Sequence, residues 1–158
     1  MKKLWNHYGR KWFVAYLCTY IGLGCAITSA SISTEIPLNF GTYNPLSPTD
    51  LETVGRMAIN CSGGTIAYSI VLSPGNNGTF SSRKLSNSHS YLNYNLYTDS
   101  AKTLIWGDGT QGTSIITGGG NCYNANEFQH IVYGRIPALQ KNLLVGTYND
   151  LVIMTLIY

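Results

Sequence analysis

Charge is scarce in this sequence. Asp, Glu, Lys and Arg together make up 11% of its 158 residues, and the formal net charge is +3. The positive excess comes from the amino terminus, which holds four of the ten cations, namely Lys2, Lys3, Arg10 and Lys11. Subtracting these four leaves six cations against seven acidic residues. Because binding to a nucleic acid requires a basic surface, this balance argues against a nucleic-acid partner.

The sequence also lacks the local motifs of common enzymes and metal sites. It contains no Gly-x-Ser-x-Gly elbow, no HExxH helix and no phosphate-binding glycine loop. It has no CxxC pair and no Cys/His cluster of the kind that holds a structural metal. His89, His130, Asp99 and Asp108 could act as acid and base only if the fold brought them together. We therefore expect no enzymatic activity and no cofactor.

The amino-terminal region has the layout of a secretory signal peptide. Basic residues are followed by an apolar run over residues 12–26 and then by small residues at positions 28–30. The run is shorter than the roughly 20 apolar residues that span a bilayer, which disfavours an uncleaved anchor. We expect a signal peptide at residues 1–30 and one exported domain at residues 31–158. Earlier cleavage near Ala26 and a lipoprotein signal ending at Cys25 are the alternatives.

Export changes the interpretation of the four cysteines. Cys18 and Cys25 would leave with the signal, so the exported chain would keep Cys61 and Cys122 in an oxidising compartment. A disulfide between Cys61 and Cys122 is the simple prediction. Two free thiols are the alternative.

The exported part alternates between strand patterns and turn clusters. Apolar residues recur at every second position within residues 57–61, 68–72 and 92–96. Clusters of Gly, Asn, Ser, Pro and Asp are typical of turns, and they occupy residues 62–64, 73–78, 108–109 and 118–121. Residues 50–52 could start one short helical turn. The pattern predicts an all-β fold, an immunoglobulin-like β-sandwich of about seven strands.

The last strand pattern, over residues 148–158, is apolar on both faces. One face would carry Val152, Met154, Leu156 and Tyr158, and the other Leu151, Ile153, Thr155 and Ile157. An unprotected apolar edge recruits another strand. We therefore predict a strand-exchange edge that comprises Leu151, Val152, Ile153, Met154, Leu156 and Tyr158. The alternative is a central strand that is buried between two sheets.

Six sequence blocks resemble a known family. They are P-L-N-F-G-T-Y-N-P-L (37–46), I-N-C (59–61), L-N-Y-N-L-Y-T-D (92–99), L-I-W-G-D-G-T (104–110), Y-G-R-I-P (133–137) and G-T-Y-N-D (146–150). In this order they resemble the spore coat protein U domain, the subunit family of archaic chaperone-usher pili. The motif residues are Phe40, Gly41, Tyr94, Trp106, Tyr133, Gly134, Arg135 and Pro137.

The resemblance implies a subunit that is incomplete by itself. Its sandwich would lack the final strand and be completed by a donor strand from a partner. The partners would be a periplasmic chaperone, an outer-membrane usher and other pilus subunits. The protein would pass through the periplasm to a fimbria at the cell surface, or be secreted, and would support adhesion or biofilm formation.

The sequence departs from the family pattern at two points. Many members carry a cysteine before the first block, where this chain has Ser31, Ile32 and Ser33, so we hypothesise that Cys122 pairs with Cys61 instead. Cleavage after Ala30 would also leave only residues 31–36 before that block, and a donor strand needs about ten residues. This shortness suggests a strand-accepting subunit at the tip of a fibre.

Two other classes of protein remain open. One is a self-contained spore or cell coat protein. The other is a carbohydrate-binding sandwich, in which Tyr91, Tyr94, Tyr97 and Tyr123 would form a platform for a glycan. Arg135 could anchor a carboxylate such as Asp150 or a terminal carboxylate, or it could face the solvent, and we favour a structural role for it.

Overall fold

The protein folds as two packed antiparallel β-sheets. The structure is a computed structural model, and it describes residues 2–4, 28–36, 38–87 and 89–158. The strands of this part are β1 (Lys2–Leu4), β2 (Ser29–Ile36), β3 (Leu51–Ser62), β4 (Thr65–Leu72), β5 (Arg83–Ser86), β6 (Tyr91–Tyr97), β7 (Ile116–Asn121), β8 (Asn126–Ile136) and β9 (Met154–Ile157). One sheet has the order β1-β9-β4-β7 and the other β2-β3-β8-β6-β5. The predicted all-β sandwich is confirmed.

The long strand β3 shows why these residues form a sandwich. Met57, Ile59 and Cys61 point into the core and are at most 4% exposed, whereas Arg56 and Val54 on the other face are exposed. This period of two is what a strand with one buried face requires. The strand already begins at Leu51, so the short helical turn suggested for residues 50–52 is wrong.

Of the predicted turn clusters, one forms a turn and another lies within a strand. Residues Gly63 and Gly64 do connect β3 to β4, and both have positive φ angles, of 86° and 148°, as tight hairpins require. Residues 118–121 instead lie within β7, so their assignment to a turn is wrong. Glycine suits this strand for a packing reason. A Cβ atom on Gly119 would lie 2.4 Å from the Ile66 carbonyl oxygen on β4.

The predicted disulfide joins the two sheets. Cys61 at the end of β3 and Cys122 just after β7 are bonded, with their Cα atoms 5.5 Å apart. Both cysteines belong to the hydrophobic core. The bridge therefore links the sheets through the interior at one end of the sandwich.

The carboxy-terminal strand β9 has neighbours on both sides. It pairs with β4 over Met154–Ile157, and its other edge pairs antiparallel with residues 2–4. Most of the expected signal peptide, residues 5–27, lies outside the described part of the chain, as does Pro37. Within the described part, no helix is long and apolar enough to cross a membrane.

Candidate functional site

An open groove with a volume of about 910 Å³ leads from the surface into the core. Two chain segments line it, residues 38–45 and residues 143–154. Its deeper lining consists of core residues from four strands and one loop, namely Met57, Leu72, Leu92, Tyr94, Leu96, Trp106, Val132 and Ile136. The hydrophobic core is therefore reachable from one side of the sandwich.

The first segment, residues 38–45, is seated by the family motif. The Phe40 ring meets the Tyr94 ring edge-on, with centroids 6.0 Å apart. Gly134 makes room for this contact, because a Cβ atom there would lie 2.7 Å from Phe40 and 2.8 Å from Leu38. Gly41 turns the chain with a φ of 71°, a conformation that favours glycine. Four of the predicted motif residues thus meet at this wall of the groove.

Tyr43 fixes the chain that leaves β8. Its hydroxyl donates to the Pro137 carbonyl oxygen at 2.9 Å and accepts from the Gln140 amide at 2.9 Å. The Gln140 side chain in turn bonds both backbone groups of Asn93 on β6, at 2.8 and 2.9 Å. Pro137, another motif residue, therefore lies where the segment 38–45 is tied to the chain after β8.

The second segment, residues 143–154, is tied to β5 and to the loop after it. The Asn149 and Ser86 backbones exchange two hydrogen bonds, of 2.8 and 3.0 Å. The Tyr148 hydroxyl contacts the Ser90 hydroxyl and donates to the Leu144 carbonyl oxygen at 2.8 Å. Leu144 and Val145 are nevertheless exposed at the mouth of the groove. This wall is firmly anchored but carries uncovered apolar side chains.

Asp150 is an acidic residue in the lining of the groove. Its carboxylate accepts hydrogen bonds from the Tyr94 hydroxyl at 2.7 Å and from the backbone amides of Asn76 and Leu151 at 2.9 Å each. Burial, reinforced by the bond to Asp150, raises the pKa of the Tyr94 hydroxyl. Tyr94 therefore stays neutral and holds Asp150 against the groove wall.

Arg135 does not contact Asp150, and the suggested pairing of these two residues is wrong. Its guanidinium lies 3.1 Å from the Glu52 carboxylate and 3.4 Å from that of Asp50, and it stacks over the Tyr97 ring at 5.8 Å. Lys102 also pairs with Glu52, at 2.8 Å. The hydrogen bond from Lys102 is the main reason why the pKa of Glu52 lies below its ordinary value. Arg135 thus has a structural role in a surface ion-pair network, outside the groove.

The structure separates the six residues predicted as a strand-exchange edge. Val152 and Met154 line the groove, and Leu156 is buried in the core against which Tyr158 packs. Leu151 and Ile153 precede β9, and Ile153 bonds to Ser73 through both its backbone groups at 2.9 Å. The strand itself is limited to Met154–Ile157 and does not extend over the predicted residues 148–158. Strand exchange along it stays a prediction.

The remaining motif residues support the groove from outside or below. Trp106 is 1% exposed, and its indole nitrogen donates to the Ile70 carbonyl oxygen at 3.0 Å. Tyr133 lies opposite Val54 and Tyr97 in the register of the second sheet. Trp106 thus fills the floor of the groove, and Tyr133 belongs to the outer face.

The four candidate tyrosines for glycan binding do not form a platform. Tyr94 is buried and bonded to Asp150. Tyr91 and Tyr97 lie at opposite ends of β6, and Tyr123 lies in the turn between β7 and β8. A stacking surface for a sugar needs adjacent exposed rings, so this arrangement does not favour glycan recognition.

The four candidate acid–base residues bond to different partners. His130 Nε2 lies 2.7 Å from the Tyr68 hydroxyl between the sheets, whereas His89 is exposed. Asp99 and Asp108 accept hydrogen bonds from the turns that follow them, and these bonds lower the pKa of each carboxyl. Among the described residues, no group of three or more His, Cys, Asp or Glu side chains could hold a metal ion.

These features define a class of protein, a disulfide-linked β-sandwich whose apolar core is open along one groove. Within that class, the chain belongs to the Spore Coat Protein U domain family, whose sequence profile matches residues 16–155. It is 30% identical over 151 residues to Protein U of Myxococcus xanthus, a match that covers 87% of this chain and 79% of that protein.

The fold also resembles a solved structure. It is similar, with a TM-score of 0.57, to a chain in the crystal structure of the CsuC–CsuE chaperone–tip adhesion subunit pre-assembly complex from archaic chaperone-usher Csu pili of Acinetobacter baumannii. The match has 19% sequence identity and covers 83% of this chain but 40% of the other. At this identity the likeness concerns the fold alone.

Proposed function

We propose that the protein is a structural, non-catalytic subunit of a chaperone-usher fibre and that its groove accepts a β-strand from another protein. The observation that carries this proposal is the groove itself, which runs between two anchored walls down to core residues that are at most 6% exposed. A strand laid into it would bury its alternate side chains against Leu72, Leu96 and Val132. This is β-augmentation, in which the main chain supplies affinity and the side-chain pockets supply register.

The expected energy is large compared with the stability of one domain. About five apolar side chains at roughly 1.5 to 3 kcal/mol each would contribute about 8 to 15 kcal/mol. The net stability of an ordinary domain is about 5 to 15 kcal/mol. An empty groove should therefore leave the subunit marginally stable, and a filled one should make it very stable.

The successive occupants of the groove are part of the same proposal. A periplasmic chaperone would fill the groove first, and a strand of another subunit would replace it at an outer-membrane usher. The similarity to a chaperone–subunit complex supports this sequence of partners. The disulfide supports an extracytoplasmic location, because such bonds persist in oxidising compartments. The output would be surface adhesion or biofilm formation.

The experiment compares two aspartate substitutions. The probe is a synthetic peptide of about twelve residues in which Val alternates with Thr, with Lys at both ends. Val152 lines the groove, whereas Val54 is 55% exposed on the outer face of β3. We expect Val152→Asp to weaken peptide binding by about a hundredfold or more, because the filled groove would bury the charge. Val54→Asp should bind like the wild type.

Calorimetric titration of the chain, purified after secretion into a periplasm, measures both affinities. Melting curves of the two variants without peptide should be close to that of the wild type, which shows that the fold is intact. No binding by the wild type, or equal losses in the two variants, would contradict the proposal.

We also propose that the subunit accepts a strand but donates none, as a tip subunit would. Strand β2 is paired with β3 at seven positions, from Ser29 to Ile36, so these residues already belong to their own sheet. Thr28 extends this attachment by donating to the Gly63 carbonyl oxygen at 3.1 Å. Ala30 is buried opposite Cys61, which favours cleavage near Ala26 rather than after Ala30.

Amino-terminal sequencing of the secreted protein tests this arrangement. A first residue between positions 27 and 31 leaves no free extension ahead of β2 and supports a strand-accepting tip subunit. A first residue ten or more positions upstream of β2 would supply a donor segment and contradict it.

A self-contained coat protein is the second candidate function. The match to the Spore Coat Protein U domain favours it. In that case the groove would need no partner, and the secreted chain should be a stable monomer without peptide or chaperone.

A further inference from the structure

The Arg83 side chain is wholly buried, with an exposed fraction of 0%. Its guanidinium donates to the Asn95 side-chain oxygen at 2.6 Å, to the Ser73 carbonyl oxygen at 2.9 Å and to the Trp106 carbonyl oxygen at 2.7 Å. It also stacks over the Phe80 ring at 5.6 Å. One cation therefore ties together three segments that are distant in sequence.

The three residues that accept these hydrogen bonds lie in the floor of the groove or next to it. Ser73 follows Leu72, Asn95 lies between Tyr94 and Leu96, and Trp106 lines the groove directly. Asn95 extends the network by donating to the Phe80 carbonyl oxygen at 2.9 Å.

Ser73 passes the connection on to the wall of the groove. Its amide donates to the Ile153 carbonyl oxygen and its hydroxyl accepts from the Ile153 amide, both at 2.9 Å. Ile153 lies between the groove residues Val152 and Met154. The Arg83 network thus reaches from the floor of the groove to the segment that leads into β9.

Burying the Arg83 side chain has a cost in folding free energy. No described residue accepts a hydrogen bond from its Nε, and no carboxylate contacts the guanidinium directly. Burial lowers the pKa of Arg83, and the carboxylate of Asp150 acts on it only through space. A buried charge without a carboxylate partner carries a desolvation cost that its hydrogen bonds must offset. Residues whose burial is unfavourable for stability are expected mainly at functional sites.

We infer that Arg83 is a positioning residue that keeps the empty groove in the shape that receives a strand. The inference rests on the proposed function. Without a strand, the floor of the groove lacks packing from above, and the hydrogen bonds of Arg83 to Asn95, Ser73 and Trp106 supply a fixed frame instead. Once a strand fills the groove, its own hydrogen bonds and side chains hold the floor as well, and the guanidinium matters less for the shape of the groove.

The test is a cycle of four proteins. Arg83→Met and the wild type are each prepared as secreted chains with an empty groove and as chains that carry the Val/Thr strand after Tyr158. A two-residue Gly/Asn turn would return that strand antiparallel to β9. Melting temperatures are measured for all four proteins, and peptide association rates for the two with an empty groove. Arg135→Met is the matched control, because Arg135 is also a networked arginine but lies outside the groove.

We expect Arg83→Met to lower the melting temperature of the empty form by clearly more than that of the filled form, because the acceptors on Asn95, Ser73 and Trp106 lose their donor in both. We also expect it to slow peptide association by about tenfold or more, because an unformed site must be ordered during binding. Arg135→Met should leave the association rate unchanged. Recovery of Arg83→Met only in the filled form would likewise support the inference.

Other results would overturn the inference in distinguishable ways. If Arg83→Met binds the peptide as fast as the wild type, or lowers both melting temperatures equally, Arg83 is a structural residue and the proposed function still stands. If neither form of Arg83→Met can be recovered, Arg83 is likewise a structural residue and the proposed function still stands. If the wild type does not bind the peptide at all, the proposed function fails and the inference fails with it.

Discussion

At the scale of single residues, Gly134 shows how one missing side chain shapes the groove. The rings and methyl groups of Phe40 and Leu38 occupy the space in which a Cβ atom would lie. Because both residues come from the segment 38–45, Gly134 decides how closely that segment approaches β8. The Y-G-R-I-P block therefore has a packing function in which the glycine is as important as its larger neighbours.

We expect Gly134→Ala to destabilise the protein by about 1 to 3 kcal/mol, the usual cost of overpacking a core. The loss should be smaller when Phe40 is shortened to leucine, because the added methyl group then has room. Chemical denaturation of the two single variants and the double variant measures this coupling. Additive losses would show that Gly134 and Phe40 do not compete for the same space.

His130 makes the stability depend on pH. Burial between the sheets lowers its pKa below the ordinary value of 6.5. As the pH falls below 6.5, the unfolded chain takes up a proton more readily than the folded one, so folding stability is lost. The pKa values of the Glu52, Asp99 and Asp108 carboxyls are also lowered, so these groups reduce the folding stability too, but in a lower pH range.

The wild type should therefore melt at a lower temperature at about pH 5.5 than at about pH 7, and His130→Gln should reduce this difference. Thermal melts at several pH values in this window measure it. His89 is present in both proteins, so its contribution cancels in the comparison. The same pH dependence in both proteins would show that His130 is not responsible.

At the scale of elements, the disulfide links β3 to the end of β7 across the two sheets. Its loop has a sequence separation of 61 residues. Closing such a loop contributes about 4 kcal/mol in the chain-entropy model, chiefly by constraining the unfolded state. Neither cysteine lines the groove.

We therefore expect Cys61→Ala/Cys122→Ala to lose about 4 kcal/mol of unfolding free energy. The loss should be the same with the groove empty or filled, because neither cysteine would contact the inserted strand. Denaturant titration of both forms tests this. A much larger loss in the empty form would mean that the bridge also shapes the groove.

The elements with clear alternation could be predicted from the sequence. Strands β3, β4 and β6 each place apolar residues on one face, and this pattern survives in the burial of Met57, Tyr68 and Leu92. Strand β7 could not be recognised, because its three glycines are typical of turns and become strand only through the close approach of β4. The pairing of β9 with residues 2–4 joins opposite ends of the chain and leaves no local signal.

The candidate site was predictable to a similar degree. The alternation of apolar residues predicts that Val152, Met154 and Leu156 share one face. The family motif indicates the segment 38–45, which contains Phe40. The sequence does not identify Arg83 and Asp150 as parts of a network, because two of the three partners of each are backbone carbonyls or amides. Such groups occur at every position, so no residue type marks them in a sequence.

At the scale of the whole molecule, the fold is a sandwich with one open side. The core is continuous from the disulfide end to the groove, and the deeper lining of the groove consists of core residues. The edge of β9 beside the groove is paired over three residues, with the Lys2–Leu4 segment that signal cleavage would remove. Processing would therefore leave that edge free for a partner.

The most direct test of this account is the melting temperature of the secreted chain with and without the Val/Thr strand attached after Tyr158. The account predicts a low or broad transition for the chain alone and a cooperative transition at least about 15 °C higher for the self-complemented chain, given several kcal/mol of added stability. A sharp transition at high temperature for the chain alone, unchanged by the added strand, would contradict it. The sandwich would then be complete in itself, and the groove would not be a strand acceptor.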